Sequence, residues 1–395
     1  MSALLERLEN SGPADAYAEL RQRARKALMS HGFPDLKTEA WKYTSLRVLD
    51  KRDFSGGFTA GEAPSLPFEA DLIRVSALDQ GLPSLPDGLS LEPMPASALA
   101  ELEYGGREDA FAWFNLARLS TAWRLRIERP LERPLVLCVD TGAEFAGDWH
   151  PRLHIQLAEG ASATLIDLQQ DQGSGLMNLV QDIDLAAGSQ LEHVIERQGH
   201  ESAIVARTNV EVGKDASYRA RLLDLGGRLH RQDLRIHLND AGAHGEIDGL
   251  GLIDSKQHVD VHTCIDHRVG HTTSREAFRM LADGTGVGVF NGRIHIARGA
   301  DDSHSDLNTA NLLLSDSARI NTKPELEIYA EDVTASHGAT IGQLDEDAVF
   351  YLRSRGVPLD QAASLLKRGF ARLPVDAVAD EAVHDWLGET LDRRL

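Results

Sequence analysis

LHIQLAEGASATLIDL, at residues 153–168, reads as two short strands on either side of a turn, because apolar and polar residues alternate before and after a glycine. The pattern returns as QDIDLAAGSQLEHVIE at residues 181–196, NVEVGKDASYRARLLD at residues 209–224 and LRIHLNDAGAHGEIDG at residues 234–249. A strand, turn and strand that recur in this way predict either a stacked solenoid or an antiparallel sandwich.

Glycine and proline positions favour the solenoid over the sandwich. Four turn glycines lie roughly 25 to 30 residues apart, a period typical of solenoid coils. They are Gly160, Gly188, Gly213 and Gly242. Between Arg152 and Val357 the sequence has a single proline, Pro324. Because proline cannot donate to a strand ladder, its scarcity predicts strands that are paired on both edges.

Different patterns flank this repeat region. Residues 13–31 have apolar side chains at helical spacing, whereas residues 62–95 hold six of the fourteen prolines and suit loops. After Gly342 the helical period returns, with Asp345 and Asp360 as expected N-caps. The sequence therefore predicts three parts: a helical and loop-rich capping region at residues 1–125, a mainly β core at residues 126–343 and a small helical domain at residues 344–395.

Charge and cysteine content limit the classes of function. With 41 Lys and Arg against 61 Asp and Glu, the net charge of -20 argues against binding to nucleic acid or to a membrane surface. The first residues lack the pattern of a signal peptide and no long apolar run follows, so we expect a cytoplasmic protein. The two cysteines, Cys138 and Cys264, cannot supply four thiolate ligands. Any bound cluster would need ligands from outside the chain.

Metal-binding residue types concentrate in HVDVHTCIDHRVGH, at residues 258–271. Alternation puts five of them on one strand face: His258, Asp260, His262, Cys264 and Asp266. Imidazole, thiolate and carboxylate are the ligands of transition metals. Neighbours on one face of a strand, however, stand about 6.5 to 7 Å apart and do not readily converge on one ion. A polar ladder is therefore favoured over a metal site.

A second candidate is His337, in the segment NTKPELEIYAEDVTASHGATIG at residues 321–342. It precedes Gly338, so we expect it at a strand end. An imidazole there could bind a metal or transfer a proton near neutral pH, and a structural turn histidine is the alternative. Motifs of metalloproteases, P-loop ATPases and serine hydrolases are absent from the sequence.

This second segment, extended to Gly356, resembles the C-terminal signature of the SufB/SufD family of iron–sulfur cluster assembly proteins. Three other stretches are similar to the same family: FNGRIHIARGADDSHSDLNTANLLLSDSARINT at residues 290–322, HVDVHTCIDHRVGHTTSREAF at residues 258–278 and TEAWKYTSL at residues 38–46. The chain length, the E-x-W-K-Y-T element and the scarcity of cysteines make the chain more similar to the SufD branch than to the SufB branch.

The resemblance implies a right-handed parallel β-helix that acts as a non-catalytic scaffold. It implies pairing with SufB edge to edge, docking of the ATPase SufC on the C-terminal helices, and a nascent cluster at the SufB interface. His337 is then the candidate cluster ligand, whereas some relatives also have a cysteine where this chain has Ala335. Candidate contacts are Glu327 and Asp332 for the SufB edge and Tyr351, Arg353 and Arg355 for SufC.

The same resemblance implies that the chain alone binds no cofactor and that the iron–sulfur cluster is transient in the complex. It allows a flavin in the complex and a homodimer when SufB is absent. Two alternatives remain at this stage. One is a β-helix carbohydrate-active enzyme, which would need paired carboxylates and a groove lined with aromatic residues, although these are only 6% of the chain. The other is an independent metal-binding enzyme that uses the His258–His271 region.

Overall fold

The computed structural model consists of two long β-sheets with helices on their outer faces. It describes residues 4, 7–8, 14–52, 54, 56–100, 102, 104–199 and 201–395. The prediction that residues 1–12 lack a signal peptide falls mostly outside the described residues. None of the helices in the described ranges is both long and apolar enough to span a membrane.

The strands are short and evenly spaced along the chain. In chain order they are β1 (Asp71–Arg74), β2 (Leu89–Pro93), β3 (Ala122–Ile127), β4 (Leu135–Thr141), β5 (Asp148–Trp149), β6 (Arg152–Leu157), β7 (Ser162–Asp171), β8 (Leu176–Leu185), β9 (Gln190–Gly199), β10 (Ala203–Val212), β11 (Ser217–Asp224), β12 (Leu229–Leu238), β13 (His244–Ile253), β14 (His258–His267), β15 (Thr273–Ala282), β16 (Val287–Ile296), β17 (Ser303–Leu313), β18 (Arg319–Ile328) and β19 (Val333–Gly342).

These strands alternate between two sheets as the chain winds. Sheet one has the order β1-β4-β7-β9-β11-β13-β15-β17-β19, and sheet two has the order β18-β16-β14-β12-β10-β8-β6-β3-β2, with β5 beside β8. Along both orders neighbouring strands are parallel, except for the antiparallel pair β2 and β3. The predicted parallel β-helix is thus confirmed, and the antiparallel sandwich is wrong.

The predicted period is also confirmed. Ser162 lies opposite Gln190, and Gln190 lies opposite Ser217, so one coil takes about 28 residues and gives one strand to each sheet. Side chains that point inward from both sheets form one continuous apolar core, from Ile73 near one end to Ile320 near the other. Each coil contacts only the coils before and after it. A single coil therefore cannot bury its apolar side chains alone, and the coils are stable only as a stack.

One corner of the coil is built from a column of residues with positive φ. They are Gly160, Gly188, Asp215, Gly242, His271 and Asp302. Each backbone N–H donates to a carbonyl oxygen of the next corner, as Gly188 does to Lys214 at 2.8 Å. The third corner has its predicted turn glycine, Gly213, but there Asp215 takes the left-handed position, which aspartate tolerates better than most residues.

In the described ranges, four α-helices precede the long strands: α1 (Ala18–His31), α2 (Arg47–Asp50), α3 (Ala96–Leu99) and α4 (Ala110–Ala117). The predicted first helix is confirmed, with Leu20, Ala24 and Leu28 buried. Its cluster includes Val205 and Leu229 of sheet two, so α1 and α4 cover the outer face of that sheet. The segment from β1 to β2 closes the first end of the solenoid, since both strands extend the two sheets there.

Four more helices follow β19: α5 (Glu346–Ser354), α6 (Leu359–Ala371), α7 (Leu373–Asp376) and α8 (Glu381–Asp392). Asp345 caps α5, because its carboxylate accepts from the backbone N–H groups of Asp347 and Ala348. The prediction of Asp360 as an N-cap is wrong, since α6 starts one residue earlier, after Pro358. Helices α7 and α8 pack on the outer face of sheet one, around Leu250.

Candidate functional site

The second end of the solenoid is open within the described part of the chain. Strands β18 and β19 are the last of their sheets, so each pairs with a neighbour along one edge only. The single proline of the repeat region, Pro324, lies in β18 opposite Gly292. Proline is tolerated there because the next ladder edge carries no partner strand. This end therefore presents two rows of backbone groups that another strand could pair with.

His337 lies on this open coil, but not at a strand end as predicted. It is in the middle of β19, opposite Leu307, and it is exposed. The strand continues through Gly338. A Cβ at this position would stand 3.0 Å from the side-chain Nδ2 of Asn308, so glycine permits a close approach here instead of a turn.

The orientation of His337 follows from its neighbours. Val333 and Ala335 pack against the inner core, and alternation along β19 puts the imidazole on the same inner face. No further coil covers it. Among the described residues, no side chain donates a hydrogen bond to His337 or forms an ion pair with it. The imidazole is therefore available to a ligand or to a partner chain.

The two candidate edge carboxylates are on the same last coil. Glu327 is in β18, where its carboxylate stands 3.5 Å from Arg293. Asp332 is in the short connection to β19, and its carbonyl oxygen accepts from the N–H of Asp302 at 2.7 Å. Both side chains are at least partly exposed. The structure places them beside the open edge but shows no contact between them and His337.

The His258 region forms the polar ladder that the sequence favoured. On the outer face of β14, Asp260 accepts from Thr44 and Arg231, and His262 lies 3.0 Å from its other oxygen. Burial raises the pKa of Asp260, but the charges of Arg231, His262 and His258 together with the hydrogen bond to His262 outweigh it and hold the pKa well below the usual range. This carboxylate is thus committed to a structural ion pair.

The rest of the ladder is paired in the same way. Asp266 contacts His237, His295 and Arg268 at 3.4, 2.5 and 3.1 Å. Burial raises the pKa of the Cys264 thiol, which makes it a poor ligand at neutral pH. Across the described ranges, no group of three or more His, Cys, Asp or Glu side chains is arranged to hold a metal ion. The five residues share a strand face without converging.

Sequence reasoning missed an N-terminal strap, residues 39–46, that lies over this ladder. Trp41 is buried, with the guanidinium of Arg231 4.0 Å from its ring centre. Glu39 forms an ion pair at 3.1 Å with Lys323 of the open coil. A groove of about 350 Å³ lies between the strap and sheet two. A tryptophan among charged residues was the only local signal, because its partner is almost two hundred residues away.

Sequence reasoning also missed polar groups inside the solenoid. Glu276 points inward from β15 and accepts a hydrogen bond from Thr263 at 2.6 Å, and its second oxygen has no partner. Burial raises its pKa to about 7. Deeper in the stack, His230 and Asp224 are fully buried and lie 2.8 Å apart. Alternation alone cannot separate such inward polar residues from outward ones.

The candidate contacts on the C-terminal helices are exposed. None of the residues of α5 is buried, and Tyr351 is 57% exposed with Arg355 over its ring at 5.2 Å. Arg353 lines a cleft of about 510 Å³ together with Phe350, between α5 and the end of β17. Because few other parts of the protein pack against α5, this helix presents a mixed apolar and basic surface beside the open coil.

Comparisons with known proteins place the chain among iron–sulfur cluster assembly proteins. A protein-family model described as "SUF system FeS cluster assembly, SufBD core domain" matches residues 140–370. The iron–sulfur cluster assembly protein SufD of Escherichia coli (strain K12) is 28% identical over 389 residues, covering 95% of this chain and 92% of that protein. An iron–sulfur cluster assembly SufBD family protein of Synechocystis is 28% identical over 417 residues, covering 96% and 91%. The chloroplastic protein ABCI7 of Arabidopsis thaliana is 27% identical over 243 residues, covering 60% and 51%.

Proposed function

Because the chain belongs to the SufBD core family of iron–sulfur cluster assembly proteins, we propose that it is a non-catalytic scaffold subunit of a SufB–SufC–SufD complex. In this proposal it takes the SufD position, pairs with SufB through the open end of the solenoid, and docks SufC on its C-terminal helices. The similar proteins of Escherichia coli and Synechocystis are named as iron–sulfur cluster assembly proteins, which supports a scaffold role.

The observation that carries the proposal is the open coil. Two edge strands with free backbone groups are an aggregation hazard in a protein that works alone, so they favour an obligate strand partner. A second solenoid with the same open end could continue both sheets and satisfy those groups by strand addition. Glu327 and Asp332 would lie at the border of that interface. The same edge would serve a homodimer when SufB is absent.

The ligand count explains why such a site needs two chains. Cys138 is buried in the stack, and Cys264 is held beside Arg293 on the outer face of sheet two. Neither thiol lies on the open coil. His337 is the exposed imidazole there, so it would supply one ligand to the nascent cluster while the partner supplies thiolates. The cluster is then cargo of the interface.

The SufC surface would be the exposed part of α5 and α6. Phe350 and Tyr351 of α5 and Leu359 and Leu365 of α6 are more than half exposed, and Arg353 and Arg355 flank them. An apolar patch with a basic border on otherwise exposed helices suits a protein partner. Since α5 directly follows β19, movement of a docked ATPase would act on the open edge through a short connection.

The test is co-expression with SufB and SufC, followed by size exclusion and anaerobic ultraviolet–visible spectra. We expect wild type and His337→Ala to assemble equally, with the cluster absorption of the variant strongly reduced. The matched control is His304→Ala, since His304 is exposed on the neighbouring strand β17 but faces outward. If His337→Ala loads normally, the site assignment is wrong; if the chain ignores both partners, the scaffold proposal is wrong.

The same preparation tests the remaining parts of the proposal. Flavin absorption in the purified complex would identify a bound flavin, which we place in the complex and not in this chain alone. Sedimentation of the isolated chain would show whether it forms a homodimer. We further propose a cytoplasmic location, which cell fractionation can check. Loss of SufC binding in Tyr351→Ala, with SufB binding retained, would support the helical surface.

A further inference from the structure

A cleft of about 360 Å³ lies where the N-terminal segment meets the corners of the solenoid. It is lined by Arg47, Val48, Lys51, Arg52, Glu201 and Arg228. The first four follow or belong to α2, Glu201 is in the connection between β9 and β10, and Arg228 is in the connection between β11 and β12. The cleft is distant in sequence from the open coil and from the C-terminal helices.

The charge of this cleft is opposite to that of the whole chain. The protein has 61 acidic against 41 basic residues, yet the cleft has four basic side chains and one acidic one. Among the described residues, none of the four cations forms an ion pair with a carboxylate. Among the described residues of the lining, Glu201 supplies the one carboxylate, so the cleft keeps a local excess of positive charge, which is costly for a cluster of like charges.

The arginines are held in place by backbone groups that do not neutralise them. The guanidinium of Arg52 donates to the carbonyl oxygens of Ser174, Gly175 and Glu201, and that of Arg228 donates to the carbonyl oxygen of Lys256 at 2.9 Å. These bonds fix both side chains before any ligand arrives. A fixed guanidinium loses little conformational freedom when it binds an anion.

Electrostatics point in the same direction. Burial lowers the pKa of Arg52, and the charge of Arg228 lowers it further, although Asp171 and Glu201 act in the opposite sense. A guanidinium that is partly removed from water and close to a second one gains from a nearby anion. Three guanidiniums and a lysine in one concave site match the tetrahedral oxygens of a phosphate group.

We propose that this cleft binds a phosphate-bearing small molecule. Arg52 and Arg228 form the fixed floor of the site, and Arg47 and Lys51, which are exposed, close on the ligand from the side of α2. The volume of the cleft accommodates more than one phosphate group. The proposal does not depend on the scaffold function, because none of these residues lies on the open coil or on the helices after β19.

The probe is inorganic pyrophosphate, titrated into the full-length chain by calorimetry at low ionic strength. We expect one site per chain, affinity that falls with added sodium chloride, and a thermal midpoint raised by the ligand. The double variant Arg47→Gln and Lys51→Gln should weaken binding at least about tenfold, because it removes two charged donors to the ligand. Both side chains are exposed, so folding should be unaffected.

The control is the double variant Lys26→Gln and Lys214→Gln, which removes the same charge from exposed positions outside the cleft. It should bind pyrophosphate like wild type. Equal loss in both double variants would show a general charge effect and overturn the proposal, as would the absence of binding to wild type. Arg228→Gln, checked for folding by circular dichroism, tests independently whether the floor of the cleft binds pyrophosphate. Tighter binding of a polyglutamate peptide that displaces pyrophosphate would replace the proposal with an acidic protein partner.

Discussion

Replacing Glu276 by glutamine should stabilise the protein above neutral pH and leave it nearly unchanged at pH 5. The carboxyl group is fully buried, and its pKa is raised by burial from 4.5 to about 7. At pH values between these two pKa values, the carboxyl group of the folded protein keeps a proton that the unfolded protein has lost. The free energy of unfolding therefore falls as pH rises through this window, by about 3 kcal/mol from this group.

Glutamine keeps the acceptor for the hydroxyl of Thr263 and has no charge to desolvate. We expect Glu276→Gln to exceed wild type by about 3 kcal/mol at pH 8 and to match it within about 1 kcal/mol at pH 5. The assay is urea unfolding followed by fluorescence at pH 5, 6, 7 and 8. Glu196, which is also buried and has its pKa raised by burial to about 7, stays in both proteins and gives both the same remaining slope.

The control is Glu159→Gln, because Glu159 is exposed in a corner turn and should leave the pH profile unaltered. An equal gain at pH 5 and pH 8 would mean that glutamine simply packs better, and the electrostatic reasoning would be refuted. A variant that is less stable than wild type at pH 8 would refute it as well, because it would show that the charged form is well solvated.

Two further substitutions test the elements around the sheets. Trp41→Ala should lower the free energy of unfolding by about 3 to 5 kcal/mol, because the ring is buried between Arg231 and Phe111. Tyr43→Ala on the same strap is the control and should lower it by under about 1 kcal/mol, since Tyr43 is exposed. Equal losses in urea unfolding would show that the tryptophan does not anchor the strap. Asp345→Ala should remove about 1 kcal/mol from α5 and speed amide hydrogen exchange in its first turn. Asp360→Ala is the control for the cap, since Asp360 caps nothing, and equal exchange in both variants would contradict the capping role.

The fold could be predicted from the sequence because its main physical signals are local. Alternation gives the strands, the glycines at Gly160, Gly188 and Gly242 mark corners, and the spacing between them gives the coil. Where another residue takes the left-handed position, as Asp215 does, the glycine marks the turn but not the residue with positive φ, which follows two residues later. The N-caps show the same limit, because Asp345 and Asp360 look alike until the helix start is known.

The site was predicted less completely because its geometry depends on contacts between distant residues. Burial of Ala335 on the inner core fixes the direction of His337, and this depends on the preceding coil. The ladder around Asp260 depends on Arg231 and Thr44, which come from two other parts of the chain. The basic cleft likewise combines Arg52 with Arg228 across more than a hundred residues. The spacing of residues along one strand could predict none of these contacts.

The repeating coil also sets a scale for how proteins of this architecture can change in length. Strands within a sheet stand about 4.8 Å apart, so gaining or losing one coil of about 28 residues displaces the open end by that step and leaves both ladders in register. Helices α7 and α8 pack on sheet one near β11 and β13, and a coil added beyond these strands would not change that contact. The distance between the strands that contact α7 and α8 and the open edge can thus change only by whole coils. A duplication of one complete coil should be tolerated, while an insertion of half a coil would move every later strand to the opposite sheet.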